Sequence, residues 1–213
     1  MGTQQVYIIP RNFIEISRGV DVFSFGYNRN SEMENYTTSY ELISCLIRTV
    51  SYGGNLLLDV GPKDYGRIPI VMEERLRDIG TWLNINGEAI FSTRIWNIQN
   101  EMDNATYYTS TNSSLYAITT VWPNDNMLVL TYPIPTQNTV ITMLGYDKQL
   151  NFKYTPGKGI LVQFPYIPPP QMPSSFAWVK NSTVSKFNLF LGIGIDEYSS
   201  YGSYITCSKL LES

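Results

Sequence analysis

The sequence predicts an α/β segment that gives way to an all-β one, on three observations. Residues 38–87 carry helix, strand and helix patterns in succession, and after Asn86-Gly87 the helical period is replaced by short runs of strand-forming residues. Those runs are parted by Pro, Gly and Asn at strand-length intervals, as in an antiparallel sandwich or barrel.

Val6–Ile9 is a β-branched and aromatic run stopped by Pro10, and Phe13–Ile16 is a second extended piece that carries Glu15. Ser24-Phe-Gly-Tyr-Asn28 is an aromatic and glycine cluster of the kind that presents rings from a loop. Thr38-Ser-Tyr-Glu41 reads as a capping box, and Leu42, Ile43, Leu46, Ile47 and Val50 then recur at helical spacing. Asn55–Val60 is apolar at consecutive positions, which predicts a strand buried on both faces as in a parallel sheet. Pro69 stands where a helix can begin, and Met72, Leu76, Ile79 and Leu83 form an apolar stripe that stops near Gly87. Glu73, Glu74, Arg75, Arg77 and Asp78 read as the solvated face of that helix. Between strand and helix lies Gly61–Gly66, either a plain connection or the loop where α/β folds meet ligands.

Beyond residue 96, strands are expected at Ala105–Thr109, Leu115–Val121, Met127–Thr131, Thr139–Leu144, Asn151–Tyr154, Ile160–Phe164 and Phe176–Val179. Gly145-Tyr-Asp is taken for one of the separating turns. Pro165–Pro173 holds five prolines and cannot continue a central strand, so it is an extended connection that lines a groove or covers a sheet edge. The tail from Val184 onward fits no packed element.

Composition excludes several classes of function. The basic residues number 15 and are scattered, so no cluster could neutralise a run of phosphates, and nucleic acid is not an expected partner. Histidine is absent and the cysteines are only Cys45 and Cys207, which leaves no thiolate or imidazole metal site, and no cofactor is implied. Cys45 falls on the apolar helix face as a buried small hydrophobe. Chemistry must therefore rest on carboxylates, hydroxyls or lysines. The apolar run Phe187–Ile195 is too short to span a bilayer, and the N-terminal residues lack the basic and apolar regions of a signal peptide. Sequons occur at Asn35, Asn104, Asn112 and Asn181, a weak sign of the secretory pathway in a chain rich in Asn, Ser and Thr.

Ser51-Tyr-Gly-Gly-Asn-Leu-Leu-Leu-Asp-Val-Gly-Pro62, Gly66-x-Ile-Pro69, Glu74-Arg-Leu76 and Trp82-Leu-x-x-Asn-Gly-Glu-Ala-Ile90 closely resemble the end of the catalytic domain of α-L-fucosidases, glycoside hydrolase family 29. Ser24–Asn28 and Glu41–Ile43 match the same family upstream. Trp96, Thr142-Met-Leu-Gly145 and Phe164–Trp178 are similar to its C-terminal β-domain. The resemblance implies the C-terminal portion of a (β/α)8 barrel over residues 1–94, an antiparallel β-sandwich over 95–183, and an unassigned tail over 184–213. It implies retaining hydrolysis of terminal α-L-fucose on glycoproteins or glycolipids in a lysosomal or secreted setting, with fucosylated glycans as partners. A homo-oligomer is left open.

Pro10-Arg-Asn-Phe-Ile-Glu-Ile-Ser17 aligns with the family signature Pro-x-x-Lys-Trp-Glu-x-Cys, keeping Pro10 and Glu15 and departing at Phe13, Ile14 and Ser17. By that resemblance Glu15 is the catalytic candidate, an acid/base, or else an orienting carboxylate. Phe25 matches the ring that packs near the sugar's methyl group, or serves ordinary core packing. Asp59 stands where the family usually has Asn, and its charge would call for a partner such as Arg48 or Arg67. A whole barrel takes about 250 residues, and the family's nucleophilic Asp lies on an earlier strand without a counterpart here. The expectation is thus a C-terminal piece of a fucosidase, inactive as a separate molecule. The alternative is a non-catalytic carbohydrate-binding or interaction sandwich over residues 97–180.

Overall fold

The structure, a computed structural model, describes residues 5–9, 13–123 and 125–183. The expectations for Pro10 and for the tail from Val184 onward lie outside the described residues. Strands β1 (Gln5–Ile9) and β2 (Phe13–Gly19) pair antiparallel. Helix α1 (Ser39–Ser51) then carries the chain over to β3 (Gly54–Asp59), which pairs parallel with β2, and helix α2 (Ile70–Asn86) follows. The sheet order is β1-β2-β3.

Local chemistry sets the helix ends. The Thr38 side chain accepts from the Glu41 backbone N–H while the Glu41 carboxylate accepts from the Thr38 N–H at 2.9 Å, the reciprocal capping box expected. Pro69 precedes the first turn of α2, and Gly87 follows its last residue.

The expectation that Asn55–Val60 is covered on both faces is not met. Leu58 and Val60 pack with Val20, Leu42 and Met72 beneath the helices, but Asn55 is exposed and Leu57 is 53% exposed. The reason is that α1 and α2 cover one face of a sheet in which β3 is an edge strand, so alternate residues meet water. The charged row of α2 is also only partly a solvated face. Arg77 pairs with Glu73 at 2.6 Å as i,i+4 neighbours, whereas Arg75 donates to the Thr37 carbonyl at 3.2 Å and Asp78 accepts from Ser39. Arg75 and Asp78 thereby tie α2 to the start of α1.

The all-β part contains β4 (Arg94–Asn100), β5 (Thr106–Ser110), β6 (Ser114–Thr119), β7 (Met127–Leu130), β8 (Val140–Met143), β9 (Tyr146–Gln149), β10 (Asn151–Thr155), β11 (Gly159–Gln163) and β12 (Trp178–Thr183). Strand β4 lies in a stretch given no strand by its pattern. Strand β9 occupies residues taken for a turn, because Tyr146 returns directly to pair with Met143. A six-stranded sheet runs β4-β5-β6-β12-β8-β9 and faces a three-stranded one, β10-β11-β7. Tyr108, Leu115, Ala117, Ile141 and Met143 meet Leu128, Leu130, Ile160 and Val162 between them. Phe164, just after β11, and Ile167 of the Pro-rich connection are buried in the same core.

The opposite face of the six-stranded sheet is buried as well. Tyr107, Tyr116, Ile118 and Val179 alternate with the sandwich residues and pack on Ile43, Ile47, Trp82 and Ile90. Trp82 donates its indole N–H to the Ala177 carbonyl at 3.0 Å, and the Thr109 hydroxyl donates to the Ala89 carbonyl at 2.7 Å. These bonds fix the helices to the sheet.

Two buried polar side chains stand out in the sandwich. Glu101 accepts from the Tyr108 hydroxyl in one sheet and, at 2.7 Å, from the Thr131 N–H just beyond β7 in the other. Burial, aided by the hydrogen bond to Glu101, pushes the Tyr108 hydroxyl far above the ordinary tyrosine value, so it remains a donor. Lys180 is 1% exposed, and its Nζ donates to the Trp178 carbonyl at 3.4 Å and lies 4.3 Å from the Phe164 ring centroid. No carboxylate among the described residues pairs with it. Burial holds it well below the ordinary lysine value.

The loops that follow β2 and β3 touch closely. A Cβ on Gly61 would lie 2.1 Å from the Tyr27 nitrogen, so only glycine allows this junction.

Glu101→Ala leaves two donors without their acceptor and is expected to cost about 2–3 kcal/mol, read as a lower urea midpoint with unchanged m-value. Gly61→Ala must push two loop backbones apart, and a loss of about 2 kcal/mol or more is expected by the same measurement. Lys180→Met is expected to raise Tm by about 2–4 °C at pH 7. The sign follows from a folded-state pKa below the unfolded one: the penalty is absent above the unfolded value of ~10.4 and grows as pH falls towards the folded value. The gain from Lys180→Met should therefore shrink when unfolding is measured near pH 10.

Candidate functional site

In the parallel pair β2–β3, in-register residues share a face, which sets Glu15, Ser17 and Gly19 beside Asn55, Leu57 and Asp59 on the side away from the helices. On this face Asn55 and Leu57 are exposed while Ser17 is buried, and the loops at its carboxyl edge, residues 20–37 and 60–69, carry most of the exposed aromatic groups of the α/β part. In α/β folds, that edge is where ligands bind.

The first loop is held from below by Asp21. Its carboxylate is buried, accepts from the Phe23 N–H at 2.8 Å and from the Ser31 hydroxyl, and so closes the loop on itself. Ser24 adds a tight turn, donating its hydroxyl to the Gly26 carbonyl at 2.8 Å and accepting from the Gly26 N–H. Phe23, Phe25 and Tyr27 are thereby presented outward, with Phe25 and Tyr27 each 37% exposed. A Cβ on Gly19 would lie 2.8 Å from the Ser24 carbonyl oxygen, so the loop folds over the strand end directly beside Asp59.

The second loop begins after Asp59, whose carbonyl accepts from the Val20 N–H at 3.1 Å. Asp59 Oδ2 is buried and has no hydrogen-bond partner among the described residues. Neither Arg48 nor Arg67 pairs with it. Beyond Gly61, the Lys63 N–H donates to the Arg67 carbonyl and the Gly66 N–H to the Lys63 carbonyl, both at 2.8 Å, with Gly66 at φ 82°. This turn holds Lys63 5.7 Å from the Tyr65 ring centroid and 6.0 Å from that of Tyr27.

The two residues singled out in the sequence lie apart within this frame. Phe25 is in the loop at the carboxyl edge. Glu15 is the third residue of β2, half-buried, opposite Tyr7 and Asn55, with no ion pair to any described residue. It shares a face with Asp59 but lies four residues earlier in register, about 13 Å along the strands. Carboxylates at that separation do not form the pair, about 5–5.5 Å apart, that a retaining glycosidase requires. Sequence reasoning passed over Asp21 and the Lys63–Tyr65 turn. The signal for Asp21 was a carboxylate two residues before an aromatic loop position, the spacing of a side chain that caps its own turn. No group of His, Cys, Asp and Glu among the described residues is arranged to hold a metal, and no helix among them is long and apolar enough to cross a membrane.

Comparison with known proteins places both halves in one family. A family profile described as Alpha-L-fucosidase matches residues 5–88, and one described as Alpha-L-fucosidase C-terminal domain matches residues 99–181. The tissue alpha-L-fucosidase of Bos taurus is 44% identical over 171 residues, covering 80% of this chain and 36% of that protein. That of Homo sapiens is 42% identical over 171 residues, covering 80% and 37%. Among solved structures, the Thermotoga maritima alpha-fucosidase in complex with a mechanism-based inhibitor superposes with a TM-score of 0.71 at 30% identity, covering 84% of this chain and 41% of that one. The same enzyme in complex with fucose gives 0.71 at 30% identity, covering 82% and 41%. The chain spans about two fifths of the length of these relatives. An α/β unit followed by an antiparallel sandwich is the fold expected from the sequence, and with both profiles matched in that order the chain belongs to the α-L-fucosidase family.

Proposed function

We propose that this chain supplies the closing arc of a (β/α)8 barrel and the C-terminal domain of an α-L-fucosidase, which removes terminal α-L-fucose from glycoprotein or glycolipid glycans in a lysosomal or secreted setting. The observation that carries the reading is the family match across both parts, joined to a fold shared with an enzyme solved in complex with fucose. The parallel β2-α1-β3-α2 succession supports the barrel arc, since each barrel strand is followed by a helix that covers the outer face. The face of β2 and β3 turned away from the helices is then the inner wall. A division near residues 94 and 95 fits the start of β4, although the core that joins Trp82 to Val179 crosses it.

Within that reading, the carboxyl edge of β2 and β3 is part of the sugar-binding rim. Phe25 offers an exposed ring to the apolar methyl at C6 of fucose. Glu15, on the inner face, is the candidate acid/base, and by its position deep in β2 it would act from the wall of the pocket. Covalent catalysis needs a second carboxylate on the far side of the anomeric carbon. Asp21 is engaged in its own loop and Asp59 is about 13 Å from Glu15 along the strands, so neither supplies it. The nucleophile belongs to a part of the enzyme outside these residues, and the isolated chain binds without turning over.

Two measurements on the 213-residue chain test this. Titration with L-fucose, followed by NMR, should show binding that Phe25→Ala weakens about tenfold, the loss of roughly one buried apolar contact; no binding by the folded chain overturns the reading. A chromogenic aryl α-L-fucoside should not be hydrolysed above the buffer rate, and hydrolysis that disappears in Glu15→Gln would overturn the assignment of inactivity.

A further inference from the structure

The turn after β3 carries a feature that neither Glu15 nor Phe25 uses. Lys63 stands between two tyrosines brought from separate loops, Tyr27 at 37% and Tyr65 at 63% exposure. Three constraints build this arrangement. Gly61 leaves no space between the loops, the Lys63–Arg67 backbone bonds close the turn, and Gly66 takes the positive φ that the turn demands. Interaction with the Tyr65 hydroxyl holds Lys63 above the ordinary lysine value, so the group is an ammonium at any physiological pH. Arg67 and Ile68 extend the same exposed rim.

Exposed rings held in place beside a fixed cation suit one ligand chemistry in particular. The face of a pyranose presents polarised C–H groups to the negative face of an aromatic ring, and its hydroxyls accept from an ammonium. Tyr27 lies two residues from Phe25, at most about 7 Å along the chain. A platform there adjoins the place assigned to fucose without overlapping it.

We propose that Tyr27, Lys63 and Tyr65 form a binding platform for a neutral hexopyranose, the sugar to which the fucose is joined. The proposal rests on the fucosidase reading for its order of sugars, but the platform's own ligand can be presented alone. Tyr65 stacks on the sugar face, Lys63 donates to a ring hydroxyl, and Tyr27 closes the side nearest Phe25.

The test is NMR titration of the 213-residue chain with L-fucose, lactose and fucosyllactose, repeated on Tyr65→Ala, Tyr65→Phe and Lys63→Met. Lactose and fucosyllactose binding should weaken about tenfold in Tyr65→Ala and several-fold in Lys63→Met. Tyr65→Phe should retain most of the lactose affinity, and L-fucose alone should bind all four proteins equally. These side chains are solvent-accessible, and circular dichroism of each variant confirms the fold. Lactose that fails to bind the wild-type chain, or binds Tyr65→Ala equally well, overturns the platform. Tyr65-dependent lactose binding without any L-fucose binding would instead sink the fucosidase reading and leave the platform standing.

Discussion

Burial of the central sheet on both faces is the constraint on which the rest of the structure depends. Antiparallel sheets usually keep one face in water, yet β5, β6 and β12 have none to spare. Tyr108, Leu115 and Ala117 point into the sandwich, while Tyr107, Tyr116 and Ile118 point at the helices. Taking the sandwich away from residues 13–91 would expose that second face, together with Trp82 and the bond it makes to Ala177. For this reason a sandwich acting alone as a binding module is the less favoured reading. The second domain serves as the floor on which α1 and α2 are held, and those helices in turn hold β3 and its loop.

Polar groups inside this layered arrangement are placed where they join layers. Glu101 links the two sheets of the sandwich through Tyr108 and Thr131. Asp78 and Arg75 join α2 to the start of α1, and Asp21 closes the loop that carries Phe25. Lys180 is the exception, a buried amine with one long hydrogen bond and a ring beneath it, which specifies little that an apolar residue could not. Asp59 differs again, since its Oδ2 is buried without a hydrogen-bond partner among the described residues, in a strand position on the face turned away from the helices. Leu57 on the same face is 53% exposed, while Ser17 beside it in register is buried.

Function follows from that geometry through the carboxyl edge of β2 and β3. Two loops, locked at Gly61, set an exposed ring row beside the strand ends, and a cation stands between two of the rings. On the proposed reading this edge binds the sugar, while the carboxylates within reach are either engaged or too far apart along the strands to form a catalytic pair.

Sequence alone determined the succession of elements. The Thr38 capping box, the stripe from Met72 to Leu83 and the turn-bounded strands from Thr106 to Val162 other than β9 are local patterns, and each formed close to where its spacing placed it. Strands β4 and β9 were missed because Arg94–Asn100 and Tyr146–Gln149 lack the alternation that marks a half-buried strand; they pair at the two margins of the large sheet. Phe25 was legible as a presented ring, but the Tyr27–Lys63–Tyr65 cluster was not, since it joins two loops that no spacing relates. Periodicity tells which side chains share a face, and it is silent on what covers that face. Whether Leu57 meets water, Lys180 loses it, or Tyr107 finds a helix was decided only when distant elements packed together, because burial belongs to the pair of surfaces in contact and not to either strand of sequence.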